Sequence, residues 1–387
     1  MWTFRDFSIR KFKRKVQHVG YRNASLSAAE LASRKILLSR LFAYLCANGT
    51  FTTLSPTELQ SNSETFLNFA DENEYARAVP APFVATFERG YVLTESGLIT
   101  TEDGRILNEG LFPQDRGRRF VVAKLIWQLF HDSARTTTAL LRKDLRALDA
   151  RASEMTAVAP LIPRYSDNYY HWLIETLPQI RYLRNFESET GIEVTYLVPD
   201  DAPSWLEETL SLLDVPDTKI EYASEDVYRV NDLIVPSFPI RTYTDYDWIV
   251  ETILSNAEQE SVDAGHNVYI SRANAIERRV VNEDAVMETL SEYGFERHAL
   301  EESSVAENVQ LFREAELIVG AHGAGLTDLI FCKDATVIEL FGSKIKDPYE
   351  RLAETMGVEY DSIQCTPSST DLIVDTESLA DRVETHR

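Results

Sequence analysis

The apolar run Leu317-Ile318-Val319 stops at Gly320-Ala321-His322-Gly323-Ala324-Gly325, and a second apolar stretch follows at once. A strand that ends in glycines and opens a helix lets the backbone approach a ligand closely, and the free N–H groups of the helix start face an anion. His322 adds a donor to a phosphate or to a leaving group. The spacing is not GxGxxG and no Walker lysine follows, so neither the dinucleotide fingerprint nor the P-loop is present. Taken alone, the cluster also fits a tight structural turn around a hydrogen-bonded histidine.

Other residues add chemistry to that turn. Arg272 ends the stretch NVYISR, and ERRVVNED follows with Arg278, Arg279, Asn282 and Glu283. Clustered arginines in an acidic chain suit an anion, because guanidinium grips phosphate through two parallel hydrogen bonds. The plainer alternative is a solvated ion-pair network with Glu277, Glu283 and Asp284. Glu339 lies near the end of the apolar stretch TVIEL, where an acid commonly accepts hydrogen bonds from ribose hydroxyls. Together these residues read as a site for a diphosphate plus a ribose.

A further pair lies in DNYYHWLIETLPQIRYL, residues 167–183. Asn168 is placed to cap a helix, and His171 and Glu175, four residues apart, share one helical face. A carboxylate that fixes the tautomer of a histidine makes an acid/base device. A helix-surface pair, or a core histidine satisfied by Glu175, is the alternative. Trp172, Leu173, Leu177 and Ile180 form the stripe expected to be buried beside them. Asp245-Tyr246-Asp247 has the DxD spacing of a metal ligand pair, but no second cluster of oxygen ligands accompanies it, and no metal site is expected.

These residues need elements to hold them. Strands are expected at 194–199, 232–237, 267–272, 316–322 and 336–341, alternating with helical patterns. Short continuous apolar runs of this kind indicate parallel sheets covered on both faces, hence an α/β fold. Earlier, FVATFERGYVL and GLITTEDGRILNEG read as strands, the latter turning at Asp103-Gly104, and 120–149 reads as helical. Ser27-Ala28-Ala29-Glu30 is a capping box for a helix ending at Asn48-Gly49. Residues 251–266, polar and closing on Asp263-Ala264-Gly265, read as a linker.

Composition limits the partners. The 387 residues carry 62 acidic and 39 basic side chains, a net charge of −23, and only 10 of the basic residues are lysine. Such a surface suits concentrated salt, where screening removes self-repulsion, and it disfavours nucleic acid as a partner. The first twenty residues reverse the trend: they carry about +5, with Trp2, Phe4, Phe7 and Phe12 interleaved among the basic side chains. That tail suits an anionic membrane surface, or the acidic body of its own chain. Cys46, Cys332 and Cys365 lie far apart, which argues against a disulfide framework or a structural zinc. No apolar run reaches the ~18 residues of a membrane span, and no signal peptide is evident. A cytoplasmic protein, peripheral at the membrane through residues 1–20, is expected.

The stretches NYYHWLIETLPQI, VYISRANAIERRVVNED, YGFE, LFREAELIVGAHGAGLTDLIF, VIELF and GVEY occur in the order and spacing of glycosyltransferase family 61, which the chain resembles over about residues 80 to 360. The family's usual LTNLIF is LTDLIF here, so Asp328 stands where asparagine is common. The resemblance implies a GT-B-like α/β architecture of two Rossmann-like domains facing across a cleft. Sugar would pass with inversion from a nucleotide sugar, UDP-linked, to a lipid-linked glycan acceptor, with no cofactor and no required metal. Arg272, one of Arg278 or Arg279, and Asn282 would meet the donor, His322, Gly323, Ala324 and Gly325 would close around its diphosphate, and Glu339 would hold the ribose. Asn168 and Tyr170 would lie on the acceptor side, with His171 as base and Glu175 orienting it, or Glu175 as base directly. The expected boundaries are a tail at 1–20, a helix in 21–55, an acceptor-side domain at 56–258 and a donor domain with a closing helix at 259–387. Charge and resemblance together suggest a halophilic archaeal source. A family member that only binds nucleotide sugar or glycan is one alternative. A Rossmann-type oxidoreductase is another, disfavoured by the missing GxGxxG.

Overall fold

Runs of β-branched and aromatic residues, too short for helices and many of them buried, become the strands of four sheets among the described residues. The computed structural model describes residues 63–68, 81–104, 107, 146–149, 152–162, 168–257 and 265–387, apart from 95, 96, 201, 240, 241 and 344. The basic tail, the helix expected in 21–55 and most of the helical stretch at 120–149 lie outside the described residues.

Among the described residues, the first part of the chain supplies ten strands: β1 (Phe66–Asn68), β2 (Phe83–Phe87), β3 (Gly90–Leu93), β4 (Leu98–Thr101), β5 (Ser153–Met155), β6 (Val158–Pro160), β7 (Thr195–Pro199), β8 (Ile220–Ala223), β9 (Val227–Val230) and β10 (Leu233–Pro236). They form a six-stranded sheet, β1-β2-β10-β6-β7-β8, and a four-stranded one, β4-β3-β9-β5. The six-stranded sheet is mixed, unlike the parallel sheet expected: β10, β6, β7 and β8 are parallel, but β2 meets β10 antiparallel. The parallel members β6, β7 and β8 are those joined by helical crossovers, as parallel neighbours require. FVATFERGYVL is two strands in two sheets, divided by a bend at Glu88-Arg89. The same passage recurs between β5 and β6 at Thr156-Ala157, with Ala157 at φ 39, and between β9 and β10 at Asn231-Asp232. The turn expected at Asp103-Gly104 is present: Gly104 has φ 78, and the Leu107 N–H returns to the Ile99 carbonyl at 2.9 Å.

Besides a single turn of helix at Arg146–Asp149, four longer helices accompany these strands among the described residues: α1 (Tyr169–Glu175), α2 (Pro178–Thr190), α3 (Ser204–Leu212) and α4 (Tyr243–Asn256). The linker reading of 251–266 is corrected for its first part. Helix α4 continues to Asn256, because Thr242 caps it and Tyr246, Ile249, Val250 and Ile253 form a buried stripe at helical spacing.

The remaining chain builds β11 (His266–Ile270), α5 (Glu283–Ser291), β12 (Phe295–His298), α6 (Val305–Glu314), β13 (Ala315–Ala321), β14 (Thr336–Phe341), α7 (Pro348–Met356), β15 (Glu359–Gln364), β16 (Thr366–Ser368), β17 (Asp371–Ile373) and α8 (Thr376–Thr385). Five strands make a parallel sheet in the order β12-β11-β13-β14-β15. The order reverses at β11, so a crevice opens between the carboxyl ends of β11 and β13, where α/β sheets take their ligands. One apolar cluster joins the two parts of the chain: Trp172, Leu177 and Ile180 share it with Ile318, Leu326, Leu329 and Ala353. Trp172, Leu173, Leu177 and Ile180 are all fully buried, as their spacing predicts.

Candidate active site

The glycine turn follows β13 directly, and Ala324–Phe331 then winds as a 3-10 helix. Its side chains from Leu326 to Phe331 are all buried, so it is a core element rather than an amphipathic helix. Its first amide N–H groups have no partner within the helix, and Ala324 and Gly325 line the same cavity as Arg272. Gly323 is extended, at φ 179, so no backbone strain demands a glycine there. The demand comes from Arg272, whose guanidinium occupies the space that a Cβ at 323 would take. At Gly325 a Cβ would come within 2.8 Å of Leu300.

Arg272 leaves the end of β11 and is largely buried, and its Nε has no hydrogen-bond partner among the described residues. Burial, then the neighbouring charge of Arg278, holds its guanidinium below the ordinary value. Both guanidiniums also meet Glu277, Arg272 donating to its carbonyl at 3.2 Å and Arg278 pairing with its carboxylate at 3.4 Å, while the Nε of each is buried without a hydrogen-bond partner among the described residues. Arg278 sits in the left-handed region at φ 63, an uncommon place for a side chain with a Cβ. The C-terminal hairpin holds it there. The Arg278 N–H donates to Thr370 O at 3.1 Å, and the next residue, Arg279, gives its N–H and guanidinium to Asp371.

Two histidine–carboxylate pairs flank this region. Asn168 caps α1, its Oδ1 accepting from the N–H groups of Tyr170 and His171. One turn of helix then sets His171 Nδ1 2.5 Å from Glu175 Oε2. The glutamate side chain is 11% exposed and the histidine 29%, so the carboxylate lies behind the ring. In the other part of the chain, His322 Nδ1 lies 2.5 Å from Glu339 Oε1, while Tyr360 OH donates to Glu339 Oε2 at 2.6 Å. Glu339, expected at a ribose, therefore has no exposed surface, and both its oxygens are engaged inside the protein. His322 stacks on Phe341 at 5.5 Å and meets the edge of Tyr349 at 5.3 Å. Tyr349 also meets the edge of Tyr170 at 5.7 Å, so two tyrosines stand between the pairs. Burial pushes the Tyr349 hydroxyl above its ordinary value, and it stays neutral.

On the other side of Arg272 a cavity of about 540 Å³ opens between the two parts of the chain. Tyr169 and Trp205 line it from one part, and Arg272, Leu300, Gly325 and Asp328 from the other. Tyr169 OH donates to Asp328 Oδ1 at 2.8 Å, tying α1 to the 3-10 helix. Asp328 is 2% exposed and forms no ion pair among the described residues, and burial raises its carboxyl from 3.8 to about 7.

The remaining expected residues divide clearly. Arg272, Ala324 and Gly325 line the cavity, Gly323 packs against Arg272, Arg278 lies near Arg272, and His322 and Tyr170 both contact Tyr349. Arg279 is turned onto Asp371 instead. The Asn282 amide clamps the backbone of Val374, donating to its carbonyl and accepting from its N–H, so it serves the hairpin. Asp245 of the DxD run is fully buried against Tyr182 and Arg181. Among the described residues no cluster of His, Cys, Asp or Glu is arranged to hold a metal ion, and no helix is long and apolar enough to cross a membrane. Tyr349, Tyr360, Tyr169 and Trp205 carried no sequence signal of a site role. Asp328 did carry one, as a departure from a usual asparagine.

Residues 169–338 match the sequence model of the family described as Glycosyltransferase 61. The matched segment begins at the first residue of α1 and ends in β14, so it holds the His171/Glu175 pair, both arginines and the glycine turn. A particular relative is EGF domain-specific O-linked N-acetylglucosamine transferase of Drosophila melanogaster, 33% identical over 96 residues. That alignment covers 24% of this chain and 18% of the relative's length.

Proposed function

We propose that this protein is a glycosyltransferase that moves a sugar from a nucleotide-sugar donor to a hydroxyl of a glycan acceptor. The observation that carries the reading is the pairing of Arg272 with Arg278 beside the glycine turn, each with an Nε buried without a hydrogen-bond partner among the described residues. The donor diphosphate lies there, against the first amides of the 3-10 helix. His322, when protonated, gives Nδ1–H to Glu339 and Nε2–H to the departing diphosphate. The arginines and this histidine supply the positive charge that a metal supplies in other transferases, and the reading is metal-independent.

Across Tyr170 and Tyr349, the His171/Glu175 pair supplies the base. With Nδ1 donating to Glu175, the lone pair falls at Nε2, which takes the acceptor's hydroxyl proton as the oxygen attacks the anomeric carbon. A base on the face opposite the leaving diphosphate gives inversion. The two parts of the chain act as the two halves of a GT-B-like enzyme, one presenting the base and the other the donor site. A UDP-linked donor and a lipid-linked glycan are the substrates we assign, the latter because residues 1–20 suit a membrane surface, in a salt-adapted cell. Incubating the protein with labelled nucleotide sugars and a glycan acceptor in molar salt tests this. Release of nucleoside diphosphate with a product of inverted anomeric configuration is expected. Donor binding without transfer or hydrolysis would instead favour a protein that only binds nucleotide sugar.

A further inference from the structure

The cavity beside Arg272 is lined by both apolar and polar side chains. Trp205, Tyr169, Ile270, Leu300 and Val305 supply flat apolar surface, Glu208, Glu301, Asn274 and Asn308 supply polar groups, and Arg272 brings the positive charge. Asp328, which also lines the cavity, has one side-chain hydrogen bond, from Tyr169 OH to its Oδ1, and no cation beside it among the described residues. A buried acceptor left this way gains from a donor that a ligand brings. A nucleobase matches both features: its faces are apolar and flat, and its edge is polar. Its diphosphate then reaches Arg272, which lines the same cavity.

We propose that the nucleobase of the donor lies in this cavity and that Asp328 is a specificity-determining residue, accepting a hydrogen bond from a ring N–H on the base edge. The inference rests on the nucleotide-sugar reading above. Above about pH 7 the Asp328 carboxyl is ionised and only accepts. It selects a ring nitrogen that carries hydrogen, as at N3 of uracil or N1 of guanine. It rejects one that presents a lone pair, as at N3 of cytosine or N1 of adenine, because two acceptors then face each other in a buried place. Tyr169 fixes the carboxylate by occupying its other oxygen, which leaves one direction for the base.

Calorimetric titration of UDP, GDP, CDP and ADP into the full chain at pH 8, where Asp328 is ionised, tests this, together with 3-methyl-UDP and 1-methyl-GDP, in which the ring N–H is replaced. Wild type is expected to bind UDP or GDP at least about 10-fold tighter than its N-methyl analogue, and tighter than CDP and ADP. In Asp328→Ala the ratio between the nucleotide and its methyl analogue should collapse toward one, because the two changes remove the same contact. Asp328→Asn preserves shape and one acceptor oxygen, and it should retain an intermediate ratio. A general loosening of the fold weakens both nucleotides alike and leaves the ratio unchanged. An unchanged ratio in Asp328→Ala, or a wild-type preference for CDP or ADP, overturns the inference alone. Failure of wild type to bind any nucleoside diphosphate overturns the nucleotide-sugar reading, and this inference with it.

Discussion

Arg272 lies across Gly323 so closely that a Cβ on residue 323 would overlap its guanidinium. The glycine is therefore required by an arginine on a neighbouring strand, not by its own backbone, which is extended. Because the obstructing atoms are the far end of a flexible side chain, Gly323→Ala should displace the guanidinium while sparing the fold. Affinity for UDP should fall about 10-fold, the value of one charge-assisted hydrogen bond, with the melting temperature nearly unchanged. Wild-type affinity in this variant would mean that Arg272 does not meet the ligand.

The three arginines near the crevice should behave differently. Arg272→Ala and Arg278→Ala should each cost ~1.5–3 kcal/mol of nucleoside diphosphate binding. Arg279→Ala should leave affinity nearly intact, since its guanidinium is already committed to Asp371. Titration of UDP into the three variants separates them. Equal losses at Arg278 and Arg279 would contradict the geometry of the hairpin.

For the transfer step, His171→Ala should lower turnover ~10²–10⁴-fold, the usual span for losing a general base, with donor affinity little changed. Glu175→Gln should cost less, because the amide can still orient the ring. Single-turnover rates at saturating donor give the comparison. The reverse order of severity assigns the base to Glu175, and near-normal rates in both variants would remove the pair from the chemistry.

Removing His322 tests a buried charge. Glu339 has no exposed surface and would keep only Tyr360 as a partner. His322→Ala should therefore destabilise the fold by ~3–5 kcal/mol, and adding Glu339→Gln should recover part of that loss by removing the charge. Denaturant unfolding of the single and double variants reads the difference. A double variant no more stable than His322→Ala would show that the pair carries no such charge.

Asp328 gives a pH signature of its own. Its carboxyl rises from 3.8 to about 7 through burial, so the folded chain keeps a proton that the unfolded chain releases. Between about pH 4 and 7 the unfolded state binds fewer protons, and stability falls as pH rises through that window. Asparagine has no such proton. The stability of Asp328→Asn relative to wild type should grow from about pH 4 to 7, at roughly 1.4 kcal/mol per pH unit at most, and level off above. A difference between the two proteins that is independent of pH would place the carboxyl in its ordinary range.

Much of this site is local and could be read along the chain. Asn168 caps α1, and three and seven residues later His171 and Glu175 meet because one helical turn separates them. The apolar runs ending at Ile270 and Ala321 gave the strands, and with them the positions of Arg272 and the glycine turn. Periodicity carries this information because helix and strand geometry repeats over a few residues. The assignment of Glu339 to His322, 17 residues apart, depended on the register of β14 against β13, which pairs Gly320 with Glu339. The choice between Arg278 and Arg279 depended on a hairpin nearly a hundred residues later, which takes Arg279 onto Asp371 and fixes Arg278 in a left-handed turn. Tyr349 and Asp328 reached the site only because α7 and the 3-10 helix pack against the buried face of α1. The sequence by itself determined which elements form and which side chains stand at their ends. Only the tertiary structure decided which of those side chains face one another, because that depends on strand register and packing between segments that no local pattern connects.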